Sequence, residues 1–431
     1  MKFYNTKDKK HLVSLREAVV HSLAPNGGLY MPEQIPTLPP EFFKRAQTLP
    51  FAEIAFAVVK PYVENVIGED QLEKIIAQTI TFDAPLVKIE ENVFALELFH
   101  GPTLAFKDFG ARFMAQLLQH FAKEQKKEVT VLVATSGDTG SAVANGFYNV
   151  PNVRVIILYP SGKVSALQEK QFTTLGNNIT AIEVDGTFDD CQHLVKTAFQ
   201  DADLNKQFFL TSANSINIAR LLPQMFYYFY AWSRLINKER VVFSVPSGNF
   251  GNLTAGLIAQ RMGLPIHHFV ASTNKNDSVC TYLNKGVFTP HASFSTISNA
   301  MDVGNPSNFS RMLDLFSNDW ERMRESISGF SFSDDETKKV MQDVMKHSNY
   351  VLDPHGAVGY LGLKAFLKNN SEYTGVFLET AHPSKFLEVV EPVILQPVTI
   401  PDSLQRFLSR EKKSISCSSN YGSFKKIVLN S

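Results

Sequence analysis

The sequence has 431 residues, 44% hydrophobic and 19% charged, which is typical of a chain that folds around sizeable cores in about two or three packed units. Lysine plus arginine balances aspartate plus glutamate at 42 each, so no excess charge favours binding to nucleic acid or to a membrane surface. Three widely spaced cysteines predict neither a disulfide framework nor a metal site. A polar N-terminus without a long apolar run predicts a cytoplasmic protein that binds small molecules.

The predicted elements change in character near residue 90. Residues 1–90 have the pattern of helix and loop interrupted by prolines, which indicates a separate N-terminal domain. Beyond them, short β-rich runs alternate with helical patterns, and this alternation predicts parallel sheets with crossover helices. The Ser/Lys-rich stretch 412–419 predicts a loose C-terminal tail. The predicted strands are residues 129–134, 153–159, 179–184, 241–245, 266–271 and 375–378.

Two predicted strands run directly into glycine-rich loops that precede helices. The loops are residues 135–140, before a helix at 141–147, and residues 246–252, before a helix at 253–262. Such loops lie at the carboxyl end of a parallel sheet, where the helix N-terminus favours an anion. The second loop has neither dinucleotide nor P-loop spacing, so we expect a different phosphate ligand, although a tight turn alone also fits it.

Lys107 lies in an apolar stretch punctuated by glycine and proline, residues 100–114, just before a helical pattern. A lysine in this setting extends to solvent, pairs with an acid such as Asp108, or acts as an amine nucleophile with a lowered pKa. Its position alone favours the first two roles. The neighbouring motifs are therefore needed to decide among them.

Taken together, seven motifs in order closely resemble those of the threonine synthases, which are pyridoxal-phosphate enzymes of fold type II. They are residues 26–32, 100–110, 134–140, 214–220, 247–251, 299–302 and 380–383. The pattern is similar to the long bacterial and fungal branch, for which we expect a monomer. The resemblance implies a tryptophan synthase beta-like α/β fold, with two open twisted sheets, flanking helices and an N-terminal domain.

The resemblance also implies a division into domains. It gives an N-terminal domain at 1–90, a large cofactor-binding domain at 91–128 and 211–400, a small substrate-side domain at 129–210, and a C-terminal extension at 401–431.

Roles for the cofactor-binding residues follow from the same resemblance. Lys107 is expected to bind pyridoxal 5′-phosphate covalently and to act as the base, and Thr380 to contact the pyridine nitrogen. The cofactor phosphate is expected at Ser247, Gly248, Asn249, Phe250, Gly251 and Asn252. Two residues depart from the pattern, since Asn252 stands where close relatives often have aspartate and Glu379 where a small residue is expected.

The implied activity is conversion of O-phospho-L-homoserine and water to L-threonine and phosphate, by γ-elimination and β-addition of water. Asp138 also fits a role in structuring its loop, and Lys163 also fits a solvated turn. A serine/threonine dehydratase-type lyase and a catalytically idle cofactor-binding relative are the alternatives. The implied substrate-binding residues are Ser136, Gly137, Asp138, Thr139, Asn214, Ser215, Arg220 and Lys163.

Overall fold

The computed structural model describes residues 1–122 and 127–430. Strands within these ranges form one three-stranded, one six-stranded and one five-stranded sheet. The strands are β1 Lys2–Asn5, β2 Asp8–Ser14, β3 Tyr30–Pro32, β4 Leu86–Glu90, β5 Val93–Glu97, β6 Val129–Ala134, β7 Val153–Pro160, β8 Ile179–Asp185, β9 Phe209–Ser212, β10 Val241–Pro246, β11 His268–Thr273, β12 Ile327–Ser331, β13 Thr374–Glu379 and β14 Ile415–Ser418.

The helices pack around and between these sheets. Short 3₁₀ turns occur at Leu222–Met225, Asn299–Met301 and Pro383–Phe386. The α-helices are α1 Leu15–His21, α2 Pro40–Arg45, α3 Phe51–Val63, α4 Glu69–Thr79, α5 Lys107–Ala122, α6 Asp138–Phe147, α7 Ala166–Thr173, α8 Phe188–Gln200, α9 Ala202–Gln207, α10 Ile218–Leu221, α11 Phe226–Arg234, α12 Gly251–Arg261, α13 Ser278–Lys285, α14 Phe309–Leu315, α15 Trp320–Ser326, α16 Asp334–Ser348, α17 Pro354–Leu367, α18 Leu387–Ile394, α19 Asp402–Leu408 and α20 Tyr421–Asn430. None of the helices in the described ranges is long and apolar enough to cross a membrane.

The largest sheet has the strand order β12-β11-β10-β13-β5-β4. Its pairs are parallel except for the antiparallel edge pair β4–β5. Every residue of β10 and β13 is buried, as expected for parallel strands covered on both faces. Helix α17 packs across β10, β11 and β13, and it begins at Pro354 with Asp353 as its N-cap.

The five-stranded sheet has the order β14-β8-β7-β6-β9, and all its pairs are parallel. Its edge strand β14 comes from the C-terminal tail, and α20 packs against α8 with Phe424 and Val428 fully buried. The prediction of a loose tail is therefore wrong. Buried apolar residues spaced along α20 hold it in place, a pattern that the Ser/Lys-rich composition obscures.

The predicted alternation of strands and helices is confirmed, and all the strands predicted from sequence occur within two residues of their expected ends. The N-terminal region differs from the prediction of helix and loop, because β1, β2 and β3 form a small antiparallel sheet. Strand β4 lies in the predicted N-terminal domain but belongs to the six-stranded sheet, and β9 spans the predicted boundary after residue 210. The division into domains stays a prediction.

The two predicted glycine-rich loops and Thr380 follow the carboxyl ends of β6, β10 and β13. Strand β6 belongs to the five-stranded sheet, and β10 and β13 are neighbours in the six-stranded sheet. Ligands of open parallel sheets bind at this edge. The two sheets therefore present their loops to one region.

Candidate active site

Lys107 is the first residue of α5, and backbone pairing places it beside the end of β13. The N–H of Phe106 donates to the carbonyl oxygen of Thr380 at 2.9 Å, and Ala105 forms an antiparallel bridge with Ala381. The side chain of Lys107 is 17% exposed, so it is largely packed but not fully enclosed. This pairing brings together Lys107 and Thr380.

The acid that faces Lys107 is Asp138, not its sequence neighbour Asp108. The Lys107 Nζ lies 3.7 Å from Asp138 Oδ2, whereas both carboxylate oxygens of Asp108 accept hydrogen bonds from Thr103. Burial lowers the pKa of Lys107 despite the attraction of Asp138, and the nearby Lys385 adds to the lowering. A lysine with a lowered pKa has more of the neutral amine that nucleophilic and base chemistry require.

Asp138 is buried and charged, and it organises its loop. Its Oδ1 accepts hydrogen bonds from Lys385 Nζ at 2.5 Å and from Gln168 Nε2 at 2.8 Å. Burial would raise the pKa of Asp138, but Lys385 and Lys107 hold it well below its usual range. These contacts support the role of Asp138 in structuring the loop and balancing two lysines.

Gly137 gives the loop its shape. Its φ of +143° lies in a region that L side chains rarely adopt, and an added Cβ would lie 2.6 Å from Gln168 Oε1. Ser136 and Thr139 flank it and are half-buried, so they face the open part of the site. The loop thus combines a closely packed backbone with two accessible hydroxyls.

Lys385 is a further site residue, and the sequence motifs do not reveal it. This lysine is fully buried and also donates to the carbonyl oxygen of Thr103 at 2.9 Å. Its one sequence signal is its position two residues after Pro383, the last residue of the final motif. A lysine in the short turn after that motif gives no pattern that distinguishes it from a surface residue.

The loop at 247–252 has the form of an anion site. Phe250 adopts the left-handed conformation with a φ of +58°, and α12 starts at the next residue. Within the described chain, no group accepts a hydrogen bond from the backbone N–H groups of residues 248–252. Unpaired N–H groups at a helix N-terminus suit a phosphate dianion.

Two side chains of this loop stabilise the loop itself. Asn252 donates from Nδ2 to the carbonyl oxygen of Pro246 at 2.9 Å and accepts at Oδ1 from the Ser247 hydroxyl at 3.0 Å. An aspartate in this position could not donate to a carbonyl oxygen. The amide therefore accounts for the departure from the family pattern at Asn252.

Neighbouring segments pack tightly against the loop. A Cβ on Gly248 would lie 2.7 Å from the Cα of Met301, so only glycine fits there. Asn249 donates to the Ser215 hydroxyl and accepts at Oδ1 from the N–H of Ser307 at 2.5 Å. The loop is thereby joined to the predicted substrate segment 214–220.

Arg220 lies in that segment and is only 4% exposed. It donates from one terminal nitrogen to the carbonyl oxygen of Ala213, while its Nε has no hydrogen-bond partner in the described part of the chain. Burial lowers its pKa to about 10. Asn214 holds the segment to the five-stranded sheet by donating to the carbonyl oxygen of Ala134 at 3.1 Å.

Lys163 is the one predicted residue outside this assembly. It is exposed in the turn after β7, and its described contacts include no hydrogen bond or ion pair with the other candidates. The contacts above link segments of the other predicted residues to one another, and Lys163 is not part of them.

These features fit pyridoxal phosphate. A lysine with a lowered pKa, a loop with unpaired N–H groups and the Thr380 hydroxyl occupy the same sheet edge, and they define a pyridoxal-phosphate-dependent enzyme of fold type II. Residues 73–377 match the family described as "Pyridoxal-phosphate dependent enzyme". Residues 2–80 match "Threonine synthase N terminus", and residues 356–428 match "Threonine synthase, C-terminal". The chain belongs to the threonine synthases.

Individual relatives agree along the full length. The threonine synthase of Escherichia coli (strain K12) is 45% identical over 432 residues, covering 100% of both chains. The crystal structure of threonine synthase from Escherichia coli superimposes with a TM-score of 0.93 at 43% identity and 100% coverage of both chains. A pyridoxal-phosphate-bound threonine synthase from Brucella melitensis gives a TM-score of 0.93 at 32% identity, covering 100% of this chain and 99% of that one.

The predicted fold, enzyme class and cofactor are confirmed. The function predicted from sequence, that of a threonine synthase, is confirmed as well. The roles of single residues stay predictions.

Proposed function

We propose that Lys107 is the cofactor-binding residue and the base of the threonine synthase reaction, in which O-phospho-L-homoserine and water give L-threonine and phosphate. The observation that carries this proposal is the position of its amine. The amine has a lowered pKa and stands 3.7 Å from Asp138, and the preceding residue, Phe106, donates its N–H to the carbonyl oxygen of Thr380. No other described lysine combines these features with an accessible amine.

Bound pyridoxal phosphate supplies an electron sink for negative charge that develops on the substrate carbons. Lys107 removes a proton from Cα and then one from Cβ, and phosphate leaves from Cγ. The hydroxyl of water adds to Cβ and the remaining proton of water goes to the released phosphate. The two protons taken by Lys107 return to Cγ, which becomes the methyl group, and to Cα, which gives threonine. A single amine serves both carbons because they are adjacent and the chain of the substrate is held at its two ends.

The two ends of the substrate require two anion sites. We assign the carboxylate to the half-buried hydroxyls and backbone of residues 136–139, and the phosphate to Asn214, Ser215 and Arg220. The guanidinium of Arg220 is buried, its Nε is unpaired among the described residues, and its fork matches phosphate oxygens. Lys163, exposed in the turn after β7, is the second candidate for the phosphate and would act as a point charge.

Lys107→Ala tests the first assignment. We expect turnover, followed as phosphate release with threonine identified as product, to fall by more than about a hundredfold, because both covalent attachment and the base are lost. Lys339→Ala, which removes an exposed lysine of α16, is the control and should keep full activity. Residual turnover of Lys107→Ala above about a hundredth of the starting value would refute the assignment.

Arg220→Ala separates a phosphate-binding site from a dehydratase-like site, which has no need of a second anion clamp. We expect KM for O-phospho-L-homoserine to rise at least about tenfold, since a charge-assisted hydrogen bond is lost. Arg240→Ala removes an arginine that is 56% exposed and paired with Glu372, and it should leave KM unchanged. An unaltered KM in Arg220→Ala would place the substrate phosphate elsewhere.

We also propose that the chain works as a cytoplasmic monomer divided into the domains given above. Resemblance to the long branch supports the monomer. The six-stranded and five-stranded sheets are separate from each other, which supports a large and a small domain. Sedimentation of the holoenzyme at several concentrations tests the first point. A concentration-dependent dimer would contradict it.

A further inference from the structure

Glu379 is one of the two residues at which the chain departs from the family pattern. Glu379 is the last residue of β13, directly before Thr380, and its side chain is completely buried. The backbone N–H of Asp353 faces the carboxyl group of Glu379, but neither carboxyl oxygen has a partner with good hydrogen-bond geometry within the described chain. A buried carboxylate without donors is strongly disfavoured, so this group needs another way to avoid an unpaired charge.

The neighbouring helix leaves room for this side chain. An added Cβ on Gly356, in the first turn of α17, would lie 2.1 Å from Glu379 Oε1 and 2.2 Å from its Cδ. No other residue type fits at Gly356 while Glu379 holds its position. Glycine here and glutamate there are thus a matched pair of residues.

The polar neighbour of Glu379 is a second carboxyl, that of Asp353, which lies within hydrogen-bonding reach. Asp353 receives the donors that Glu379 lacks, since the N–H groups of His355 and Gly356 donate to it at 2.8 and 3.1 Å. His355 Nδ1 also lies 2.5 Å from Asp353 Oδ1. Negative charge is therefore stabilised on Asp353. If the two carboxyl groups hold one proton between them, that proton belongs on Glu379.

The other groups that face Glu379 reinforce this distribution of charge. Glu97 is its register partner on β5, and Tyr350 lies near both acids and donates to Glu97 at 2.8 Å. Burial, followed by the charge of Asp353, raises the pKa of Glu379 well above its ordinary value. The imidazole of His355 is bonded to Asp353 rather than to Glu379.

The cluster connects to the cofactor site on two sides. Glu379 precedes Thr380, and His355 Nε2 accepts a hydrogen bond from the N–H of Ala300 at 3.2 Å. Ala300 belongs to the 3₁₀ turn Asn299–Met301, which packs directly on Gly248 of the anion loop. A change at Glu379 can thus reach both the strand end and the cover of the phosphate loop.

We propose that Glu379 is a positioning residue that stays protonated and donates a hydrogen bond to Asp353, so that Asp353 and His355 hold the Asn299–Met301 turn against the phosphate loop. This inference concerns the chain itself and stands apart from the roles proposed for Lys107 and Arg220. It assigns a purpose to the paired residues Glu379 and Gly356.

Infrared spectroscopy of the holoenzyme at neutral pH tests the protonation state. We expect a carbonyl band of a protonated carboxylic acid that is lost in Glu379→Gln and kept in Glu388→Gln, a control at an exposed glutamate of α18. Absence of the band from the unaltered protein, or its survival in Glu379→Gln, would overturn the proposal.

Cofactor affinity tests the positioning role without reference to turnover. We expect Glu379→Ala to raise the dissociation constant of pyridoxal 5′-phosphate about tenfold, the effect of one lost buried hydrogen bond, and Glu379→Gln to change it much less because the amide still donates to Asp353. Equal weakening by both variants would overturn the proposal. If Glu379→Ala does not fold, the Glu379→Gln affinity and the infrared band decide.

A further pair of variants tests the steric match. Gly356→Ala should weaken cofactor binding in the natural background but add nothing in Glu379→Ala, because the space that its Cβ needs is then free. Strictly additive effects of the two changes would refute the coupling between Gly356 and Glu379.

Discussion

Replacing Lys385 by methionine tests whether the buried charges around Lys107 are held in balance. The Lys385–Asp138 pair has a separation of 2.5 Å and side chains that are 0% and 3% exposed. Removing one partner of a buried ion pair costs about 3–5 kcal/mol, because the other charge stays buried. Lys107 remains 3.7 Å from Asp138 and compensates in part, so we expect the lower end, about 3 kcal/mol.

The assay is denaturant unfolding of the chain without cofactor, so that effects on cofactor binding do not enter. Lys364→Met is the matched control, since its ion pair with Glu90 is as short, at 2.6 Å, but the side chains are 43% and 36% exposed. We expect that control to cost less than about 1 kcal/mol. The double variant Lys385→Met/Asp138→Asn should recover part of the loss, because the buried carboxylate that lost its closest partner is also removed.

Equal losses for Lys385→Met and Lys364→Met would refute this reasoning, as would a double variant that is as unstable as the sum of the single ones. Either result would mean that the free energy of unfolding does not depend on the burial of this pair. The pH offers an independent check. The pKa of Asp138 is lowered, so its contribution is present above the ordinary aspartate range and is lost only as the pH falls well below it.

Two further predictions concern the loop and the large sheet. Gly137→Ala should cost about 1–3 kcal/mol in unfolding and raise KM, because its φ is +143° and its Cβ would strike Gln168; an unchanged KM would separate this loop from the substrate. Burial lowers the pKa of His268 to about 4, so stability should fall as the pH drops from about 6.5 toward 4, by about 2 kcal/mol at about pH 5. Urea unfolding at about pH 6.5 and about pH 5 should show a smaller loss in His268→Gln and the full loss in His347→Gln, a control at an exposed histidine. A full loss in His268→Gln would contradict the assignment.

The sequence carried the large parallel architecture because buried strands leave continuous apolar runs, as in β10, and glycine-rich loops mark where such strands end. It did not reveal β1 to β3 or β14, which are short or lie at edges and contain charged or polar residues. Within the site, Lys107 and the phosphate loop have local signatures. Lys385 is significant only through partners that lie far away in the sequence, so no local pattern could identify it.

The two departures from the family pattern show how such residues are accommodated. Asn252 lies in the first turn of α12, after β10, and Glu379 is the last residue of β13. Each has a partner that matches its chemistry. Asn252 donates to the carbonyl oxygen of Pro246, and Glu379 lies in the space left by Gly356. Exchanging either residue alone for the common family residue would remove one half of a pair, which loses a donor in the first case and opens a cavity in the second. The effect of such an exchange therefore depends on the partner, and it is the pair, rather than the single position, that determines whether the cofactor site keeps its shape.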